Sequence, residues 1–213
     1  GDVYKRQGLT DMSQSRYAKM ANTGIDAVHW TNGFWGERFN VFSGTSLQSM
    51  WNTWNTPEVS HGFRNFEIAA GVCKGEHWGP PFHDGDMYKW MEGVASVYAV
   101  NKDPELDKLM DNFIACVVKA QRADGYIHTP VVIEELNKGI DSHTLADSQQ
   151  QTVIGTKVGS EDEKGAFANR LNFETYNLGH LMMAGIVHHR ATGKTTLLDA
   201  AVKATDFLCH FYE

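Results

Sequence analysis

Hydrophobic residues recur at helical spacing near the C-terminal end of the chain. Five of them follow the order i, i+3, i+4, i+7, i+8, namely Leu178, Leu181, Met182, Gly185 and Ile186. This pattern lines one face of a helix with 3.6 residues per turn. A second apolar series follows it at the same spacing, namely Leu197, Leu198, Ala201, Val202, Thr205 and Leu208. The segment from residue 170 to residue 212 therefore predicts two consecutive helices.

The residues between these two helices predict a tight connection. Gly193 suits the left-handed position that ends a helix, and Thr195 or Thr196 can cap the next one. Because so short a link leaves the second helix no room to run onward, the two helices must pack antiparallel as a hairpin.

A second hairpin is predicted earlier in the chain. Asp84 or Asp86 is expected to cap its first helix, Asn101–Asp103 to form the turn, and Pro104 to begin the second helix. The two apolar faces consist of Met87, Trp90, Met91, Val94 and Tyr98, and of Leu106, Met110, Phe113, Ile114 and Val117. The dipeptides Leu106-Asp107 and Leu198-Asp199 lie 92 positions apart, which suggests a repeated unit.

The remaining segments predict further helices and one short extended insertion. We expect helices over 46–55 and 61–70, separated by Pro57, and a Gly/Pro-rich loop over 71–81. The segment 124–130 is expected to turn into an extended run, with residues 152–158 as its strand partner. Residues 1–7 resemble a translated adaptor scar and are set apart from the fold. The chain is thus predicted to be mainly all-α with short β insertions, as a helical bundle or a closed ring of hairpins.

Composition narrows the functional classes. A hydrophobic fraction of 42% over 213 residues is enough for one large domain. The net charge of −7, with no run of Lys or Arg, argues against nucleic-acid partners and anionic membranes. No apolar run reaches the roughly 20 residues that a membrane span requires. Six Trp, seven Tyr and eleven Phe suit either a core or a surface on which sugars stack. We expect Cys116 and Cys209 to be small core residues.

Polar side chains gather at the predicted start of each hairpin. In the C-terminal hairpin these are Asn172, Glu174, Tyr176, Asn177 and His180. In the earlier hairpin they are Asp84 and Asp86, whose carboxylates could hold sugar hydroxyls or act as an acid or base. Since both groups precede the first helix of a hairpin, we expect them at the same end of the fold. The alternative is a set of helix-capping residues, with His180 a core histidine.

Two other motifs carry little weight. Gly193-Lys194-Thr195 resembles the end of a phosphate-binding loop, but His188 stands where that loop needs glycine. Cys73, His77, His83 and Asp84 do not have the spacing of a tetrahedral zinc site.

An ordered set of short motifs resembles glycoside hydrolase family 127, the β-L-arabinofuranosidases. The matching pieces are Phe34-Trp35 with Arg38, Asn65-Phe66 with Ala69-Ala70-Gly71, Asp84-x-Asp86-x-x-Lys89-Trp90-x-Glu92, Asp124-Gly125-Tyr126, Glu174-x-Tyr176-x-x-Gly179-His180-Leu181 and Ala191-Thr192-Gly193-Lys194. None of them is specific alone. Their occurrence in this order over residues 28–212 is specific.

The resemblance implies the N-terminal portion of an (α/α)6 barrel, a six-hairpin toroid. It also implies removal of L-arabinofuranose from plant-type glycans with retention, by a zinc-bound cysteine nucleophile and a glutamate acid/base. The zinc, its three Cys and one Glu ligands, and the catalytic residues are expected beyond Glu213. Residues 8–213 would then be an incomplete catalytic domain that holds no catalytic or metal-binding residue, with apolar helix faces unpaired when it is isolated.

Seven residues are candidate carbohydrate-binding positions: Trp51, Asp84, Asp86, His128, Glu174, Tyr176 and His180. Two departures from the family pattern favour a divergent subfamily, since Met50 stands where the family has Gln and Phe173 where it has His. Two alternatives stay open. One is another helical-toroid glycosidase that uses Asp84 or Asp86 as acid/base, and the other is a non-catalytic helical carbohydrate-binding protein.

Overall fold

A computed structural model describes residues 8–140, 167 and 170–213. Its α-helices are α1 (Gly33–Val41), α2 (Leu47–Trp54), α3 (Gly62–Ala69), α4 (His83–Asn101), α5 (Pro104–Ala120), α6 (Thr129–Asn137), α7 (Glu174–Thr192) and α8 (Thr196–Tyr212). A π-helical turn, Phe42–Ser46, joins α1 to α2, and a 3-10 turn, Arg170–Asn172, precedes α7. No β-strand occurs in the described ranges, and the mainly helical fold predicted from the sequence is confirmed.

Both predicted hairpins are present. The side chain of Asp103 accepts a hydrogen bond from the Glu105 amide, and Pro104 occupies the first turn of α5. Gly193 ends α7 in the left-handed conformation (φ 79°), as its position after the apolar series predicted. Leu106 and Leu198 are each the third residue of the second helix of their hairpin, so the two dipeptides are structurally equivalent.

Helices α4 and α7 run parallel and pack more extensively on each other than any other pair among the described elements. At their starts the Gly85 amide donates to Asn177 Oδ1 over 3.0 Å. At their ends Lys102 Nζ donates to the Ala191 carbonyl over 3.0 Å. The loops that precede the two helices therefore lie at one end of the fold, as predicted.

Two element boundaries differ from the sequence prediction. The N-terminal helical segment begins at Gly33, not at Ser46, because the mostly exposed α1 lacks the apolar face that would have revealed it. The extended run predicted over 124–130 ends at His128, and Thr129 begins α6. Its β-branched residues favoured a strand, but Pro130 in the first turn favours a helix. The proposed strand partner, 152–158, lies outside the described residues.

The core lies between the two hairpins and α3. Its largest fully buried side chains include Phe66, Tyr88, Trp90, Phe113 and Tyr126. Cys116 packs against this core as expected, whereas Cys209 is exposed on α8, which corrects the prediction for that residue. Within the described part of the chain, no helix is long and apolar enough to cross a bilayer.

Candidate functional site at the starts of α4 and α7

Asp84 lies in the first turn of α4 with only 2% of its surface exposed. Its Oδ2 accepts a hydrogen bond from the Thr129 amide at 2.7 Å, and its Oδ1 accepts one from Thr129 Oγ1 at 2.6 Å. His128 Nδ1 is 3.2 Å from Oδ2. Burial raises the pKa of Asp84, but these hydrogen bonds and the His128 charge outweigh it and leave the pKa below its ordinary value. Asp84 is thus a carboxylate whose two oxygens are already occupied by the protein.

The predicted capping role of the two aspartates is wrong. The N-cap position of α4 is occupied by Phe82, and no side chain makes a capping hydrogen bond there. Asp84 and Asp86 lie inside the first turn, where their negative charges still face the positive end of the helix dipole.

His128 is fully buried beside Asp84. Since the Asp84 carboxylate can only accept, His128 Nδ1 must be the donor in their contact. His128 Nε2 is buried and has no hydrogen-bond partner among the described residues. The side chain therefore lies below the surface of the site.

Asn177 joins the two helix starts. Its Oδ1 accepts from the Gly85 amide, and its Nδ2 donates to the Pro81 carbonyl over 2.9 Å. The same Nδ2 lies 3.4 Å from His128 Nδ1. Sequence reasoning noted Asn177 only as a nearby polar residue, because nothing along the chain indicates a partner 92 positions away.

Glu174 is also buried. Its Oε1 accepts hydrogen bonds from the Phe167 amide, at 2.7 Å, and from the Tyr126 hydroxyl. Burial raises the pKa of Glu174, and the His128 charge and these two donors oppose that rise only in part. The two buried carboxyl groups thus differ, since the pKa of Asp84 is lowered and that of Glu174 is raised.

A second, more exposed group lies on the same helices. Lys89 Nζ donates to Asp86 Oδ1 over 2.9 Å and to the Tyr176 hydroxyl over 2.6 Å. The rings of Tyr176 and His180 are 4.6 Å apart and nearly perpendicular. Burial, helped by the Lys89 charge and opposed by Asp86, lowers the pKa of His180. We call Asp86, Lys89, Tyr176 and His180 the polar group.

The seven candidate residues therefore fall into three places. Asp84, His128 and Glu174 are buried, and Asp86, Tyr176 and His180 belong to the polar group. Trp51 is stacked on Trp90 at 4.9 Å and also contacts Phe63, and neither of these is a candidate. Lys89 was not among the candidates, although its position three residues after Asp86 on a helix predicts an ion pair.

The described residues do not fit a zinc site. No three His, Cys, Asp or Glu side chains among them converge as metal ligands. Cys73 and Cys116 are partly buried, Cys209 is exposed, and all three are free thiols. The set of three cysteines and one glutamate implied by the resemblance is not assembled by the part of the chain that the structure describes.

Comparison with known proteins gives the same family as the motifs. The sequence model described as the β-L-arabinofuranosidase GH127 catalytic domain matches residues 27–213. A non-reducing end β-L-arabinofuranosidase of Bifidobacterium longum subsp. longum is 32% identical over 149 residues, which are 70% of this chain and 19% of that protein.

Solved structures agree with the sequence match. A protein described as a glycoside hydrolase is 66% identical, with a TM-score of 0.61, over 97% of this chain and 23% of its own. A GH127 β-L-arabinofuranosidase from Geobacillus stearothermophilus T6 is 31% identical, with a TM-score of 0.65, over 84% of this chain and 25% of its own. A third structure, a GH127 β-arabinofuranosidase, is 26% identical, with a TM-score of 0.66, over 88% of this chain and 26% of its own.

The chain thus spans about a quarter or less of the length of these relatives. Since the family match covers residues 27–213 and the helical arrangement is shared, this chain belongs to the GH127 β-L-arabinofuranosidase family.

Proposed function

We propose that the protein carrying this chain is a glycoside hydrolase that releases L-arabinofuranose from plant-type glycans. The proposal is supported by the family match over residues 27–213. Residues 8–213 are proposed to be part of an (α/α)6 catalytic domain, in which they form one wall of the sugar pocket.

The polar group is the part of this wall that we assign to substrate. It offers a carboxylate, an ammonium, a phenol and an imidazole at the point where two helix starts converge. All four side chains retain exposed surface, so they can exchange hydrogen bonds with sugar hydroxyls. Asp84, His128 and Glu174 are proposed to act indirectly, by holding the helix starts beneath the polar group.

The cysteine and zinc chemistry of the family is proposed to come from sequence outside these 213 residues, because no three potential metal ligands converge among the residues that the structure describes. When bound, that zinc would hold the cysteine nucleophile as a thiolate. The residues of this chain are proposed to orient the sugar toward it.

The alternative function is a glycosidase that uses a carboxylate of this chain as acid/base. For that role Asp86 is a better candidate than Asp84. Asp84 is only 2% exposed and both of its oxygens accept hydrogen bonds from the protein, so a glycosidic oxygen cannot approach it. Asp86 is partly exposed, and its carboxylate accepts a hydrogen bond from Lys89. In the complete enzyme, Asp86→Asn separates the two roles. Loss of a few fold in kcat indicates sugar binding, whereas loss of about 10³-fold or more indicates an acid/base.

The activity is tested with the enzyme expressed from its complete reading frame. We expect hydrolysis of p-nitrophenyl β-L-arabinofuranoside and little hydrolysis of the α-L-arabinofuranoside or the β-L-arabinopyranoside. Hydrolysis of another glycoside alone would overturn the sugar assignment. Binding of arabinan or arabinosylated peptides without hydrolysis of any of them would favour the carbohydrate-binding alternative.

A further inference from the structure

Lys89 lies at the centre of the polar group. Its Nζ donates to Asp86 Oδ1 over 2.9 Å and to the Tyr176 hydroxyl over 2.6 Å. The same Nζ is 5.1 Å from the centroid of the Tyr176 ring. Asp86 lies three residues earlier on α4, whereas Tyr176 is on α7. Lys89 therefore links the half of the polar group on α4 with the half on α7.

The charge of Lys89 fixes the direction of both hydrogen bonds. Burial lowers the pKa of Lys89, but the hydrogen bonds to Tyr176 and Asp86 and the Asp86 charge outweigh it and leave the pKa above its ordinary value. The side chain is thus protonated at neutral pH, and an ammonium group can only donate. Tyr176 and Asp86 must both be acceptors in their bonds with Lys89.

Each partner keeps one hydrogen-bonding function that Lys89 does not use. A tyrosine hydroxyl that accepts from an ammonium group still has its own hydrogen to donate. A carboxylate has two oxygens, and Lys89 donates to Oδ1 of Asp86. Tyr176 is 44% exposed and the Asp86 side chain is 24% exposed. The remaining donor and the remaining acceptor can therefore meet a ligand from solvent.

The ring of Tyr176 is confined by its neighbours. Gly85 lies so close that a Cβ on it would be 2.9 Å from Tyr176 Cε1, and the His180 ring is 4.6 Å away and nearly perpendicular. With the ring confined, the freedom left to the hydroxyl is rotation about its C–O bond. The hydrogen bond from Lys89 restricts this rotation, because the hydroxyl hydrogen must point away from the ammonium group.

We propose that Lys89 is a positioning residue for substrate, which makes the Tyr176 hydroxyl a donor and leaves Asp86 as the adjacent acceptor. The inference rests on the proposed glycosidase function, in which the polar group contacts substrate. Since both oxygens hydrogen-bond to one nitrogen, they are no farther apart than the two bonds laid end to end. A donor and an acceptor so close together suit two hydroxyls of one ligand, one accepting from Tyr176 and the other donating to Asp86. Lys89 acts through these two residues.

The test uses the complete enzyme and p-nitrophenyl β-L-arabinofuranoside. Lys89→Met keeps the length of the side chain but removes its charge and its donors. We expect KM to rise about five- to twentyfold and kcat to stay within about threefold of the wild type, because the contacts that are lost hold the substrate before the reaction as well as during it. Tyr176→Phe removes the donor itself and should raise KM about three- to tenfold.

The double variant Lys89→Met/Tyr176→Phe separates positioning from direct contact. If Lys89 acts through Tyr176, adding Tyr176→Phe to Lys89→Met should raise KM by less than about twofold. Effects on KM that multiply, as those of two independent contacts do, would overturn the positioning role. A loss confined to kcat would overturn it as well.

Lys108→Met is the matched control, because Lys108 forms the same i, i+3 ion pair with Glu105 on α5, over 3.9 Å. It should leave both KM and kcat unchanged. An unchanged KM in Lys89→Met would refute the positioning role while leaving the glycosidase assignment intact. A wild type that does not hydrolyse the arabinofuranoside would refute the proposed function itself. Should Lys89→Met not fold, Lys89→Gln, which also lacks the charge, is measured in its place with the same expected rise in KM.

Discussion

The Gly85 amide and the Asn177 side chain fix the register between α4 and α7 through a hydrogen bond of 3.0 Å. The bond is buried, and the second arm of the Asn177 amide holds the Pro81 carbonyl. Because this bond lies at the start of both helices, it sets the distance between the two halves of the polar group, Asp86 and Lys89 on α4 and Tyr176 and His180 on α7. A glycine makes this approach possible.

Replacing Gly85 with alanine should therefore separate the helix starts. The added Cβ would lie 2.6 Å from Asn177 Oδ1 and 2.9 Å from Tyr176 Cε1, both too close for contact. We expect the free energy of unfolding to fall by about 1–3 kcal/mol, measured by urea denaturation.

Gly179→Ala provides the matched control within α7. A Cβ at Gly179 meets nothing within 4 Å. Because alanine is the better helix former, this variant should gain up to about 1 kcal/mol. A Gly85→Ala protein as stable as Gly179→Ala would contradict the close packing of the helix starts.

The two aspartates of the first turn should differ in what they stabilise. Asp84→Asn leaves the Thr129 amide or hydroxyl facing an amide in place of a charged acceptor, so we expect a loss of about 2–4 kcal/mol in unfolding free energy. Asp86→Asn removes a partly exposed ion pair with Lys89 and should cost at most about 1 kcal/mol. Thermal or urea denaturation of both variants checks the order. The reverse order would refute the buried role of Asp84.

The sequence predicted the hairpins well because the apolar periodicity agreed there with the residues that start and end helices. Helix α5, for example, has Asp103 and Pro104 at its start and an apolar face behind them. The same logic failed at Thr129, where β-branched residues suit either a strand or a buried helix. It also missed the start of α1, which has almost no buried face.

The candidate site was predictable in location but not in detail. Two polar segments at equivalent helix starts had to meet, and they do. Which carboxylate is buried depends on contacts across 45 positions, such as Asp84 with Thr129, and local pattern carries no information about them. Phe82 and Phe173 were missed as a pair because each is an isolated aromatic residue until the helices are placed side by side.

His188 should make the protein less stable in acid. Burial lowers its pKa from 6.5 to about 4, with the Lys194 charge adding to the effect and Asp111 and Asp107 opposing it. The unfolded chain binds the proton near pH 6.5, whereas the folded chain resists it until about pH 4. The His188 contribution to stability is therefore complete above pH 6.5, declines as the pH falls and levels off below pH 4.

The expected decline is about 3 kcal/mol, since each pH unit of the gap is worth about 1.4 kcal/mol. The measurement compares urea denaturation of the wild type and His188→Leu at about pH 7.5 and about pH 4.5. The free energy of unfolding of His188→Leu should rise relative to that of the wild type as the pH falls. A difference between the two proteins that does not change with pH would rule out a neutral, buried imidazole.

Exposed aromatic residues on α1 should make the 213-residue chain associate with itself. Phe34 and Trp35 are 62% and 65% exposed and contact each other, which leaves an apolar patch facing solvent. Sedimentation velocity should show mass that rises with concentration. Replacing both residues with serine should reduce it, whereas Tyr17→Ser should not. A chain that stays monomeric at all concentrations would argue against unpaired helix faces.

The Asp84 carboxylate has a consequence for motion. It accepts two hydrogen bonds from Thr129, the first residue of α6. These bonds hold the start of α4 against the start of α6. The Thr129 amide can then exchange its hydrogen with solvent only when those helices part, an opening that exposes a buried charge. Slow exchange is expected at this base. Phe82, Phe173 and Tyr176 lie at the surface of the same end of the fold and are partly exposed to solvent, so we expect their side chains to be more mobile.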